Sequence, residues 1–286
     1  MIMIMWLASY PKSGNTWLRA LLTSYFFTDD GIFNLNILKK IYQFPSKNYF
    51  KSYSKDFKNI TDTAEFWIDA QNKINQDGKF RLFKTHNALL DVNNFSFTNK
   101  RNTSGCIYII RDPRNVITSV ANHYEHNYEQ ALNFMVNDKN LLFQKKNEKF
   151  VNFQFLSSWK NHYRSWTESK QFPIKVIRYE DLEINTLGVL EEVINFINKT
   201  AKFDKDFDKN KAVKCVESSS FDKLKKLEKK FGFKEAAIGQ KTGKTINFFN
   251  LGKENKWESL LPKKILNKMQ VIFKDDLIKW RYLSND

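Results

Sequence analysis

Cysteine is nearly absent from this sequence: Cys106 and Cys215 are the only two in 286 residues. That excludes a disulfide framework and fits a reducing compartment. Cys106 lies in the apolar run Cys106-Ile-Tyr-Ile-Ile110 and reads as a small core residue. Proline and glycine are also sparse, and no Pro/Gly/Ser-rich linker or internal repeat divides the chain. It reads as a single domain over 1–286. No apolar segment reaches the roughly 18 residues of a membrane span. The apolar run at the N-terminus is short, has no basic region before it and ends in a loop, so it reads as a first strand and not a signal peptide. The expected location is the cytoplasm. Acidic residues are outnumbered, Asp+Glu 31 against Lys+Arg 47, for a net charge of +16. Such a balance suits an anionic partner: nucleic acid, a membrane surface, or a phosphorylated or sulfated small molecule.

What is abundant is apolar and aromatic. Hydrophobic residues make up 42% and aromatics 15%, with 26 Phe, a globular composition and not a disordered one. Short apolar runs at 2–8, 80–84, 105–110 and 174–178 suit strands buried on both faces of a parallel sheet. Between them Leu18, Leu21, Leu22 and Tyr25 keep helical spacing, as do Val116, Ser119, Val120 and His123. The second of these helices opens with Asp112-Pro113, a carboxylate at the N-cap and proline at the first helical position. Stretches 66–74, 150–172 and 187–197 also read as helical. The alternation predicts an α/β fold, a central parallel β-sheet flanked by helices. Two regions read as loose, Asn-rich 91–104 and lysine-dense 201–252, the latter as a flexible basic lid.

The chemistry concentrates at the predicted strand ends, where open parallel sheets bind ligands. The first strand runs into Ser9-Tyr-Pro-Lys-Ser-Gly-Asn-Thr-Trp17 and then a helix. Strand, short loop, helix is how a chain cradles an anion: backbone N–H groups and the positive helix end face it, and Lys12 adds a full charge. Gly14 has no side chain to block the approach. The nucleotide-triphosphatase order G-x-x-x-x-G-K-[ST] is missing, and with it the hydroxyl that would hold Mg²⁺. The other ends read Lys84-Thr-His86, Arg111-Asp-Pro113 with Ser119 beyond, and Arg178-Tyr-Glu-Asp181. A cation-rich edge without acidic metal ligands points to a highly charged anion handled without metal. His86 is one of four histidines; His123, His126 and His162 read as structural or surface residues.

Together these residues resemble the sulfotransferases that use 3′-phosphoadenosine 5′-phosphosulfate (PAPS). Tyr10-Pro-Lys-Ser-Gly-Asn-Thr-Trp17 is similar to their 5′-phosphosulfate loop. Arg111 with Ser119 matches their 3′-phosphate motif, and Lys84-Thr-His86 the segment that holds the catalytic base. Tyr179 resembles their adenine-contacting tyrosine and Ser219-Ser-Phe221 their T-S-F segment. The matches occur in the family's order and cover most of the chain. The resemblance implies the P-loop-like sulfotransferase fold, with PAPS held by Lys12, Ser13, Gly14, Asn15, Thr16, Trp17, Arg111, Ser119, Tyr179, Ser219, Phe221 and Gly252. Lys12 would meet the oxygen between sulfate and phosphate, Lys84 the sulfuryl oxygens, and His86 would take the acceptor's proton. Products would be a sulfated hydroxyl or amine and adenosine 3′,5′-bisphosphate (PAP).

One element departs from the family. Its closing motif R-K-G-x-x-G-D-W stands here as Asn250-Leu-Gly-Lys-Glu-Asn-Lys-Trp257, without the arginine and lysine. Lys241, Lys244, Lys253 and Lys256 are the candidates to replace them. A P-loop kinase, a basic nucleic-acid-binding protein and a non-catalytic relative are the alternatives; no nucleic-acid recognition module accompanies the charge. The acceptor, a small molecule, glycan or lipid, is expected among loops 34–58, 91–104 and 124–147.

Overall fold

Buried strands end where the sequence turns polar, and the helices divide into an apolar and a charged face. The computed structural model describes residues 3–53, 56–146, 149–239 and 242–283. In chain order the strands are β1 (Ile4–Ser9), β2 (Tyr42–Gln43), β3 (Arg81–Thr85), β4 (Thr103–Ile110), β5 (Leu141–Lys146), β6 (Lys149–Phe155), β7 (Ile174–Arg178), β8 (Ala237–Ile238) and β9 (Thr245–Ile246). The helices are α1 (Asn15–Phe27), α2 (Trp67–Asn75), α3 (Pro113–Tyr124), α4 (Tyr128–Val136), α5 (Trp159–Thr167), α6 (Tyr179–Ile184), α7 (Thr186–Ala201), α8 (Lys209–Ser218), α9 (Phe221–Phe231), α10 (Trp257–Leu260) and α11 (Lys263–Lys279). The chain divides into two units interleaved in sequence. One is built from Met1–Tyr10, Lys40–Ile110 and Asn137–Asp208, the other from Pro11–Lys39, Arg111–Val136 and Lys209–Asp286.

The first unit holds a parallel five-stranded sheet in the order β2-β3-β1-β4-β7. Pairings Ala8↔Thr85, Ser9↔Ile109 and Ile110↔Arg178 align the C-terminal ends of the strands. Central β1 is buried throughout, as a strand covered on both faces must be. Trp6 sits among the rings of Phe44, Phe83 and Phe97, and its indole N–H donates to Thr103 Oγ1 at 2.9 Å. The two faces carry different helices. A Cβ on Gly105 would press on Thr200 of α7, whereas Tyr108, on the opposite face of β4, bonds His162 of α5.

The second unit is mainly helical. Ala20, Phe33, Leu38, Leu224 and Phe249 form a buried cluster, with Trp17, Phe221, Phe233 and Phe248 packed against it. Asp112 caps α3 as expected, accepting from the Arg114 backbone N–H at 2.9 Å with Pro113 at the first helical position.

Three expectations change. The stretch 150–172 is not one helix: β6 pairs antiparallel with β5, and α5 begins only after Ser158 caps it. The alternation in Phe150-Val-Asn-Phe-Gln-Phe155 has the period of a strand, and Ser157, at φ 57°, turns the chain between the two elements. The region 201–252 carries more regular structure than its lysines suggest. In α9 Leu224 and Glu228 are buried while Lys223, Lys225, Lys226, Lys229 and Lys230 are exposed, because a 3.6-residue period separates the two sets. Lys241 and Ile2 lie outside the described residues. The sheet also gains β2, whose two residues carry no readable alternation.

Candidate active site

His86 follows β3 directly and is held on three sides within the first unit. Its Nδ1 lies 2.7 Å from the Ser9 carbonyl oxygen and 3.3 Å from Ser9 Oγ. A carbonyl can only accept, so Nδ1 carries the proton and the neutral ring keeps its lone pair on Nε2. The His86 backbone N–H donates to Gln154 Oε1 at 2.9 Å, and its carbonyl accepts from His162 Nε2 at 3.1 Å. His162 is fully buried, and its Nδ1 accepts a hydrogen bond from the Tyr108 hydroxyl at 2.8 Å. Burial pushes its pKa down to about 3, which keeps it neutral, and the His86 carbonyl, able only to accept, places its proton on Nε2. The following residues are docked in the same way: Asn87 Oδ1 accepts from Phe155 N–H and Asn87 O from the Trp166 indole. Lys84, two residues before His86, is 7% exposed on β3. Tyr179, buried, opens α6 where β7 ends.

The second unit carries the loop that the sequence reads as an anion cradle. Lys12 has φ 68° and Gly14 φ 99°, and this left-handed bend at Gly14 starts α1 without any side-chain cap or acidic first turn. Arg111 donates from Nη1 to the Lys12 carbonyl at 3.2 Å, bringing its guanidinium to the loop. Ser13 is fully buried, and its hydroxyl has no hydrogen-bond partner among the described residues. A buried hydroxyl at an uncapped helix start suits an anion's oxygen. The cation of Lys12 rests 4.0 Å over the Phe248 ring. Thr16 Oγ1 donates to Glu235 at 3.3 Å, and the same carboxylate pairs with Arg19 at 2.6 Å.

Trp17 and Phe221 pack on the same buried cluster, and Gly252, at φ 57°, approaches so closely that a Cβ would collide with the Phe221 ring. Ser219, just past α8, is fully buried and donates back to the Cys215 carbonyl of that helix. Ser119 Oγ accepts from Asn255 Nδ2 at 3.1 Å. In the closing stretch the Asn250 carbonyl accepts from Lys225 Nζ at 2.7 Å, while Leu251, Lys244, Lys253 and Lys256 are exposed.

Sequence reading missed Gln154, because β6 was read as helix. It set His162 aside as structural, with no signal that its partner is His86. Glu235, Phe248 and Asn255 belong to no pattern that marks them.

A parallel sheet flanked by helices makes this an α/β protein. The sulfotransferase domain model matches residues 4–281, and the chain belongs to that family of PAPS-dependent enzymes. It is 26% identical over 259 residues to cytosolic sulfotransferase 16 of Arabidopsis thaliana, covering 88% of this chain and 70% of that protein. It is 25% identical over 195 residues to sulfotransferase 1 family member D1 of Mus musculus, covering 68% of this chain and 58% of that one. Among solved structures it resembles retinol dehydratase in complex with androsterone and the inactive cofactor PAP, at TM-score 0.58 and 16% identity, with 96% of this chain and 80% of that chain covered. A retinol dehydratase complex with retinol and PAP aligns at TM-score 0.56 and 17% identity, with 96% and 81% covered. Among the described residues no helix is long and apolar enough to cross a membrane.

Proposed function

We propose that this chain transfers a sulfuryl group from PAPS to a hydroxyl or amine of a small-molecule, glycan or lipid acceptor, with His86 as general base. The observation that carries the donor reading is the buried Ser13 hydroxyl, without a hydrogen-bond partner among the described residues, at the uncapped start of α1 beside Lys12 and the Arg111 guanidinium. These groups fit the 5′-phosphosulfate: hydroxyl and N–H donors for its oxygens, and a lysine for the charge that grows on the bridging oxygen. PAPS, when bound, supplies the sulfuryl group and leaves as PAP.

Lys12 leaves the Phe248 ring to meet that charge, exchanging a cation–π contact for a charge-assisted hydrogen bond. Arg111 grips the 3′-phosphate with a planar fork while its Nη1 steadies the loop through the Lys12 carbonyl. Ser119 donates to the same phosphate, and Trp17 and Phe221 present ring surfaces for the adenine; Tyr179 is the residue that resembles the family's adenine-contacting tyrosine. His86 accepts the acceptor's proton on Nε2, because Nδ1 already donates to Ser9. Lys84 draws charge from the sulfuryl oxygens. Gly252 lets the closing stretch lie against Phe221.

Calorimetry with PAP and adenosine 5′-monophosphate tests the donor reading, followed by labelled-sulfate transfer to an acceptor library. The expected result is micromolar PAP binding and much weaker monophosphate binding, since a few charge-assisted bonds of about 1.5–3 kcal/mol each read the 3′-phosphate. Equal affinity for the two ligands would sink the roles of Arg111 and Ser119.

A further inference from the structure

Asn255 is 7% exposed, and its amide is bonded on every side by α3. Its Oδ1 accepts from Thr118 Oγ1 at 2.5 Å. Its Nδ2 donates to the Asn115 carbonyl at 3.0 Å and to Ser119 Oγ at 3.1 Å. The orientation of the amide is unambiguous, because the atom facing the Asn115 carbonyl must be a donor. Trp257, two residues on, fastens the same stretch: its N–H donates to Asn115 Oδ1 at 3.0 Å, and its ring lies 4.0 Å beneath the Arg114 guanidinium.

The consequence falls on Ser119. A helical serine ordinarily donates its proton back to the carbonyl four residues earlier. For Ser119 that carbonyl belongs to Asn115. It already takes the helix N–H and the Asn255 amide, with the Thr118 hydroxyl 2.8 Å away, so both lone pairs are used. Ser119 Oγ accepts from Asn255, and its own proton has no acceptor among the described residues.

We infer that Asn255 is a specificity-determining residue for the nucleotide: it blocks the back-bond of Ser119 and turns that hydroxyl into a dedicated donor for a 3′-phosphate. The inference rests on the reading of Ser119 as a 3′-phosphate contact. In this chain, where Asn250 and Leu251 offer no cation, the closing stretch acts on the 3′-phosphate through a neutral amide and a serine. A 3′-phosphate separates PAPS and PAP from nucleotides substituted only at the 5′ position, so Asn255 governs discrimination more than overall affinity.

The test is calorimetry on the whole chain with PAP and adenosine 5′-monophosphate, for wild type, Asn255→Asp, Ser119→Ala and the double variant. Asn255→Asp keeps the shape and the Thr118 bond but faces Ser119 with an oxygen, which draws the serine proton to itself. PAP affinity is expected to fall about tenfold to a hundredfold, the loss of one hydrogen bond to a charged group, with monophosphate affinity unchanged. Ser119→Ala gives a similar loss, and the double variant loses no more than either single one, because the two act through one hydroxyl. Should Asn255→Asp fail to fold, Asn255→Ala in a Thr118→Val background, which removes both competing donors from the Asn115 carbonyl and returns the back-bond to Ser119, reads the same ratio. An Asn255 variant that keeps the wild-type preference for PAP, or losses that add in the double variant, overturns the inference. Wild type showing no preference for PAP overturns the Ser119 reading itself, and this inference with it.

Discussion

The Nδ1 of His86 lies 2.7 Å from the carbonyl oxygen of Ser9, the last residue of β1. A backbone acceptor from a fully buried central strand cannot turn away, so the ring is oriented by the sheet itself. The consequence is chemical: the proton stays on Nδ1 and the basic lone pair on Nε2. His86→Ala is expected to lower turnover about 10²–10⁴-fold, the usual contribution of general acid–base catalysis, and to leave PAP affinity unchanged. Single-turnover sulfate transfer beside PAP calorimetry checks it. Near-normal turnover with a true acceptor would move the base to another residue.

His162 makes a pH prediction. Its ordinary value of 6.5 is lowered to about 3 by burial, so the folded chain holds it neutral where the unfolded chain protonates it. Below 6.5 the unfolded state therefore binds the extra proton. The stability contributed by neutral His162 is complete above 6.5 and is lost as pH falls toward about 3. The slope reaches about 1.4 kcal/mol per pH unit. Urea unfolding through this window should show it, and His162→Asn, which cannot titrate, should flatten the curve. An unchanged slope in the variant would mean that other groups set the acid limit.

Lys12 touches ground state and transition state in the proposed mechanism, so Lys12→Ala should weaken PAPS binding and turnover together. Initial rates across donor concentrations separate the two effects. A fall in turnover alone would confine Lys12 to the transition state.

Asn250→Arg adds a cation to the closing stretch, whose backbone at Asn250 is anchored by Lys225. Donor binding is expected to tighten at low salt and the gain to fade as ionic strength rises, because the new contact is ionic. Titrations at several salt concentrations decide. No gain would mean a nearby lysine already serves there.

Gly252→Ala should cost stability on two counts, a left-handed φ of 57° and a Cβ driven into the Phe221 ring. Strain of this kind costs about 1–3 kcal/mol, and the displaced Phe221 should also weaken PAP binding. Thermal melts with and without PAP measure both. A variant as stable as wild type would show that the stretch relaxes freely.

Local order was written plainly in the sequence. Apolar runs specified β1, β3, β4 and β7, the Asp112-Pro113 pair specified the start of α3, and the stretch around Lys12 announced the loop between β1 and α1. These are short-range signals: periodicity, caps and charge at strand ends need no knowledge of what packs against them. The same reading failed at 150–172, where aromatic residues serve a strand and a helix equally well and only pairing with β5 settles which forms.

Tertiary structure alone decided what each candidate group can do. That the His86 ring carries its proton on Nδ1 depends on Ser9, and its backbone is held by Gln154 and His162; these partners lie 77, 68 and 76 residues away in sequence. That Ser119 keeps a proton to give depends on Asn255, 136 residues on. Residue type supplies an imidazole or a hydroxyl; tautomer and donor direction are set by the partner that folding brings within 3 Å or so, and no local pattern encodes that partner.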